Sequence, residues 1–184
     1  MKRALRIEGL FFFALFIGTV FGANWLIKNL GLIHTPSAWL IPVWPGILAP
    51  SGVIAVGLGF TLRDLVQRRL GIGWSVLGIA LGALATVALD PRLAFASGSA
   101  FLISELLDLS VYTPLQRRNL TIAVIGSNVV GLVVDSAVFL TLAFGSLQFL
   151  PGQIIGKLWF TLLAIPVIHG IRVYDRKRGV SHYA

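Results

Sequence analysis

Long apolar runs separated by short polar or basic turns dominate this chain. Six runs stand out, at about 9–28, 50–70, 72–89, 92–113, 120–145 and 152–172. They are continuously apolar rather than alternating, which predicts helices and not the strands of a barrel. About 20 helical residues cross ~30 Å of hydrocarbon. The pattern therefore predicts an all-α integral membrane protein, a single transmembrane domain over residues 1–184 with six transmembrane helices. The opening "MKRALRIEGLFFFALFIGTVFG" has the basic start and apolar middle of a signal peptide. Its apolar run continues through "ANWLI", longer than a signal core, so it is assigned to the first span. Residues 31–51 differ in kind, with four prolines and two tryptophans and hardly any charge. They are too broken for a spanning helix. Two readings stay open: an outer loop with Trp39 and Trp44 in the aromatic belt, or a partly re-entrant cap over an outward-facing cavity.

Composition agrees. Hydrophobic residues make up 57% and charged residues 12%, against ~45–50% and ~25% in soluble domains. Without cysteine the chain has no disulfide, thiolate metal site or thiol nucleophile. The net charge of +8 would suggest nucleic acid in a soluble protein, but the basic residues lie at the ends of the runs. With both termini in the cytoplasm, the inner side holds Lys2, Arg3, Arg6, Arg68, Arg69, Arg117, Arg118, Arg172, Arg176, Lys177 and Arg178. The outer side holds Lys28 and Arg92, and this asymmetry fixes the expected orientation.

The remaining cations, Arg63 and Lys157, fall inside spans, together with Asp64, Glu105, Asp108 and Asp135. Ionisable groups at membrane depth cost ~2.5–3.5 kcal/mol each on insertion scales, so they should face the bundle interior. At ~1.5 Å per residue, Glu105 lies about 20 Å and Asp108 about 24 Å inward from Arg92. Their i, i+3 spacing puts both on one helix face. Arg63 and Asp64 come to about the depth of Glu105. Asn128 and Asp135, seven residues apart, share a face of span five. Two layers are expected: an inner one of Arg63, Asp64, Glu105, Asp108 and Asn128, and an outer pair of Asp135 with Lys157. Two cations against four carboxylates leave a surplus that protons or a ligand must satisfy.

Plainer readings compete. Arg63, Asp64 and Asp108 can snorkel towards the cytoplasm, Asp135 with Lys157 can be a structural pair, and His169 can be interfacial. Glu105, deep and followed by Leu106 and Leu107, is the hardest to explain in that way. His34 and His182 have no spaced partner, so no metal site and no cofactor is expected. Gly57, Gly59, Gly71, Gly73, Gly78 and Gly82 recur at small-residue spacing and should let helices approach closely. Ser97 or Ser99 with His169 would make a hydrolase pair, but the depths place them near opposite sides, so no enzyme is expected.

From Ser51 to about Ile171 the chain resembles the VUT family of queuosine-precursor transporters. The resemblance is carried by "GFTLRDLVQRRLG" (59–71), "ASGSAFLISELLDLSVYTPL" (96–115), "SNVVGLVVDSAVFLTLAFGSL" (127–147) and "PGQIIGKLWFTLLAIP" (151–166), in the family's order. It implies six spans and movement of 7-cyano- or 7-aminomethyl-7-deazaguanine across the cytoplasmic membrane. It also implies a likeness to vitamin-binding S-components, whose partner is an energising ATPase module. Asp108 falls at the family's span-four acid, Asp135 at the span-five acid and Lys157 at the span-six lysine. Glu105 departs from the pattern, which has Gln there.

The implied substrate presents a ring N–H and an amine side by side, which a carboxylate such as Glu105 or Asp108 accepts. Its ring carbonyl needs a donor, for which Asn128, Lys157 and Arg63 are candidates. Its flat face suits Trp44, Trp74 or Trp159. The expectation is thus a multi-pass importer of a purine-like small molecule in the lipid bilayer, with no nucleic-acid partner. It would act alone, as a homo-oligomer, or as the binding subunit of an ATP-driven importer. A non-transporting scaffold or small channel is the alternative of another class.

Overall fold

The computed structural model describes residues 2–36, 38–89 and 94–179; Arg92 and His182 lie outside them. Each of the six apolar runs carries a helix: α1 (Lys2–Asn29), α2 (Val53–Leu70), α3 (Ile72–Leu89), α4 (Ala94–Leu115), α5 (Leu120–Phe144) and α6 (Leu150–Lys177). Their ends follow from local chemistry. Gly71, at φ +90°, turns α2 into α3 in a conformation that a side chain would oppose. Asn119 caps α5, its side-chain oxygen accepting from the backbone N–H of Thr121 and Ile122.

Residues 31–51 are neither an irregular loop nor a helix, and the fold is not purely helical. They form a three-stranded antiparallel sheet in the order β1 (Ile33–His34), β2 (Trp39–Trp44), β3 (Ile47–Pro50). The physical reason lies in where the prolines fall. Pro45-Gly46, with Gly46 at φ +76°, makes the tight turn between β2 and β3. Pro42 pairs with Leu48 on one side, beyond the two residues at which β1 pairs on the other, so its missing N–H costs the ladder little. The sheet lies against α1 and α6, and Ser51 donates its hydroxyl to the Leu26 carbonyl at 2.8 Å.

Helix α2 touches every other helix and is buried along most of its length. It is also strongly polar, carrying Thr61, Arg63, Asp64, Gln67 and Arg68 on its buried surface. The outer surface is the reverse: Phe11, Leu84, Ile122 and Leu163 are all about 60% exposed or more. A polar hub inside an apolar shell is a membrane protein's distribution, because lipid rather than water covers the shell. Among the described residues, three helices are individually long and apolar enough to cross a bilayer: α1 from Ala4, α5 and α6.

The glycines divide into two groups. A Cβ on Gly57 would meet Phe160 Cβ at 2.9 Å and the Lys157 carbonyl at 3.1 Å; one on Gly82 would meet the Phe101 ring at 2.8 Å. Gly59 and Gly78 are similarly close to Thr19 and Phe16. Gly71 and Gly73 face open space, so the expectation of close packing is corrected at these two: one is a turn, the other an unpacked helix position. Gly57→Ala is therefore expected to lower stability by about 1–3 kcal/mol, the range for overpacking. Gly73→Ala should be neutral or slightly stabilising. Thermal unfolding in detergent, followed by tryptophan fluorescence, checks the contrast; equal losses would contradict the packing described.

Candidate functional site

The residues that position this site come from the middle of α2, α4, α5 and α6. Arg63 is fully buried and lies among three carboxylates. Its Nη1 is 3.1 Å from Asp64 Oδ1, its Nε donates to Glu105 Oε2 at 3.1 Å, and its Nη2 donates to Asp108 Oδ1. The guanidinium carbon is 5.7 Å from the centroid of the Tyr112 ring, and the Tyr112 hydroxyl donates to the Asp64 carbonyl. Gly131 lets α5 approach Asp108, since a Cβ there would be 2.9 Å from Oδ2. Arg63, Asp64 and Asp108 are thus bundle-interior residues and do not snorkel. The three acids converge on a guanidinium; among the described residues no His, Asp and Glu group is arranged to hold a metal ion.

Asn128 lies beside this cluster without joining it. Its Nδ2 donates to Thr61 Oγ1 at 3.0 Å and Thr161 Oγ1 at 3.4 Å. The expectation that Asn128 would meet the carboxylates is corrected by the two threonine hydroxyls, which take its donor first.

The outer pair forms as a close contact. Lys157 Nζ donates to Asp135 Oδ2 at 2.5 Å, Ser136 Oγ at 2.7 Å and Gln153 Oε1 at 2.9 Å. A cavity of about 120 Å³ at the sheet end of the bundle is reached by Glu105 from the inner layer and by Asp135 and Lys157 from the outer one. A single water needs ~10–15 Å³, so the space is far larger than a hydration site. Glu105, Asp135, Lys157, Gln153, Asn24 and Phe101 are on its wall. Arg63, Asp108 and Asn128 lie behind that wall. Glu105 is the residue that belongs to both tiers: Oε2 is held by Arg63, and Oε1 has no hydrogen-bond partner among the described residues.

The tryptophans are placed otherwise than expected. Trp44 and Trp159 stack on each other, centroids 6.2 Å apart at 14°, and are 53% and 44% exposed beside the sheet, off the cavity. Trp159 Nε1 donates to the Val43 carbonyl, which ties α6 to β2. Trp74 packs edge-on against Phe13 at 5.3 Å. The aromatic rings at the cavity are Phe101 and Phe139. His34 packs on Trp39 in the sheet, and His169 is exposed on α6.

Sequence reasoning passed over Gln153 and Asn24. A signal existed for the first: Gln153 precedes Lys157 by one i, i+4 step, hence on the same face. It also treated Arg68 and Arg69 as topology markers alone. Both donate to the buried Asp175, Arg68 Nη2 at 2.7 Å and Arg69 Nη2 at 2.9 Å. Arg69 also pairs with Glu8, which pairs with Arg178. This network joins α1, α2 and α6 at the end of the bundle opposite the cavity.

Removing one member of a buried pair leaves its partner's charge in low dielectric, a loss of about 3–5 kcal/mol. Asp135→Ala alone is expected to destabilise the protein by that order, and Asp135→Ala with Lys157→Met to recover most of it. Unfolding in detergent measures both; a double variant no more stable than the single would show that the pair is not the structural unit.

The comparisons with known proteins bear on this arrangement. No curated protein and no solved structure matches the chain. Residues 72–171 match the family model described as a putative vitamin uptake transporter. The matched stretch runs from α3 into α6 and contains Glu105, Asp108, Asn128, Asp135, Gln153 and Lys157. It covers more than half of the chain, and its Glu105, Asp135 and Lys157 line the cavity. The chain belongs to the vitamin uptake transporter family.

Proposed function

We propose that this chain imports a queuosine precursor, 7-cyano- or 7-aminomethyl-7-deazaguanine, across the cytoplasmic membrane. On this reading all six helices span the bilayer, both termini are cytoplasmic and the sheet covers the outer end. The observation that carries it is Glu105. One carboxylate oxygen is anchored by Arg63, and the residue lines a cavity with its other oxygen unpaired. A carboxylate held in this way accepts from adjacent N–H donors, the edge that a deazaguanine presents. Phe101 and Phe139 supply apolar ring surface to the same cavity. The four carboxylates and two cations within the bundle also leave negative charge that a proton or a substrate N–H can offset.

Orientation is tested by reporter fusions. Those at Arg69, Arg118 and the C-terminus should report cytoplasm, and those at Leu40 and Phe149 the outside. A C-terminus outside the cell would overturn the six-span arrangement.

Transport is tested by uptake of labelled 7-cyano-7-deazaguanine in a strain that lacks precursor synthesis, its own transporter and energising ATPase modules. Saturable uptake by this chain alone is expected; uptake that needs an added ATPase module would make it a binding subunit instead. Glu105→Gln keeps length and one acceptor oxygen, so affinity should fall by about 1.5–3 kcal/mol, the value of a charge-assisted hydrogen bond. The pH dependence of uptake should stay as it was. Intact binding with lost accumulation would assign Glu105 a coupling proton, and normal transport by Glu105→Ala would remove it from the site.

A further inference from the structure

A substrate carbonyl needs a hydrogen-bond donor, and the three donors that the sequence suggests for it are engaged elsewhere. Arg63 donates to Glu105 and Asp108 and lies behind the cavity wall. Asn128 directs its Nδ2 at two threonines. Lys157 has three donor positions and uses them on Asp135, Ser136 and Gln153.

Gln153 is different. An ammonium has no lone pair to offer, so only the carbonyl oxygen of the Gln153 amide can face Lys157 Nζ, 2.9 Å away. That contact settles which way the amide is flipped: Oε1 towards Lys157, Nε2 away from it. Gln153 is 4% exposed and lines the cavity, and its Nε2 has no hydrogen-bond partner among the described residues. Nε2 is not among the fully enclosed polar atoms that lack a partner, so it opens on the cavity, where a partner would sit.

We propose that Gln153 is a specificity-determining residue: its Nε2 donates to a ring carbonyl of a planar heterocyclic substrate, and Lys157 holds the amide in that orientation. The inference rests on the transport reading above. Glu105 and Gln153 thus put an acceptor and an oriented donor on the same cavity. That pair is complementary to a lactam, an N–H beside a C=O. It is mismatched to the edge of an aminopurine, where a ring nitrogen accepts and an amine donates. The site would thus select 6-oxo over 6-amino heterocycles of the same shape.

The test is equilibrium binding to the full-length protein in lipid nanodiscs, with 7-cyano-7-deazaguanine and its 6-amino counterpart as probes. Wild type should favour the oxo compound by about tenfold or more, the worth of one well-placed hydrogen bond and one avoided clash. Gln153→Leu should lose roughly tenfold for the oxo compound and little for the amino compound. Gln153→Glu keeps an oxygen for Lys157, so it preserves that contact while turning the donor into an acceptor. Its preference should narrow or invert. An oxo-to-amino ratio unchanged in both variants, or an equal loss of both ligands, would overturn the inference while leaving the transport reading standing. Wild-type protein that binds neither compound would overturn the transport reading and this inference with it.

Discussion

A single guanidinium, that of Arg63, sets the terms for the interior of this bundle. Surrounded by Asp64, Glu105 and Asp108, it draws α4 onto α2 through two contacts 42 and 45 residues distant in sequence. An isolated charge at that depth would be intolerable, and so would three isolated carboxylates. Together they hold the middle of α4 against α2, and the remaining packing accommodates that choice. Gly131 is bare so that α5 can come up to Asp108, and Tyr112 lies against the guanidinium while its hydroxyl meets the backbone of α2. Glu105 is consequently rigid at one oxygen and available at the other.

The second tier works by the same logic with a different cation. Lys157 is saturated by Asp135, Ser136 and Gln153, so its role in this structure is to orient neighbours. An ammonium that satisfies a carboxylate and an amide oxygen at once converts two flexible side chains into fixed ones. The cavity between the tiers therefore has a wall whose polar groups point in known senses, as a recognition site requires.

Much of this arrangement was legible before the structure. Depth along a helix follows from a constant rise per residue, so Arg63, Glu105 and Asp108 could be brought to one level, and Asp135 with Lys157 to another, by counting. Rotation and neighbourhood could not be counted. Asn128 has the right depth, yet two threonines take its donor; Trp44 and Trp159 have the right chemistry and stack on each other at the surface. The sheet was missed because four prolines in 21 residues suggested disorder of direction. Position mattered more than number: one proline makes the turn and another sits where its strand has a single neighbour. Asp175, flanked by basic residues in "RVYDRKR", was hidden by the topology signal it sits within.

The burial of α2 has a consequence for how the protein is made. Of the partners of Arg63, Asp64 emerges from the ribosome with it, whereas Glu105 and Asp108 follow more than 40 residues later. On the six-span reading, α2 reaches the insertion machinery while α4 is still unsynthesised. It carries Arg63 and Asp64, each costly at the centre of a spanning helix, whereas α1, α5 and α6 are by length and composition apolar enough to cross. The nascent helix must wait beside the translocon or lean on α1, which it touches in the finished fold. On that reading α2 draws on two neighbours at different times: α1, made before it, and the acids of α4, made after it.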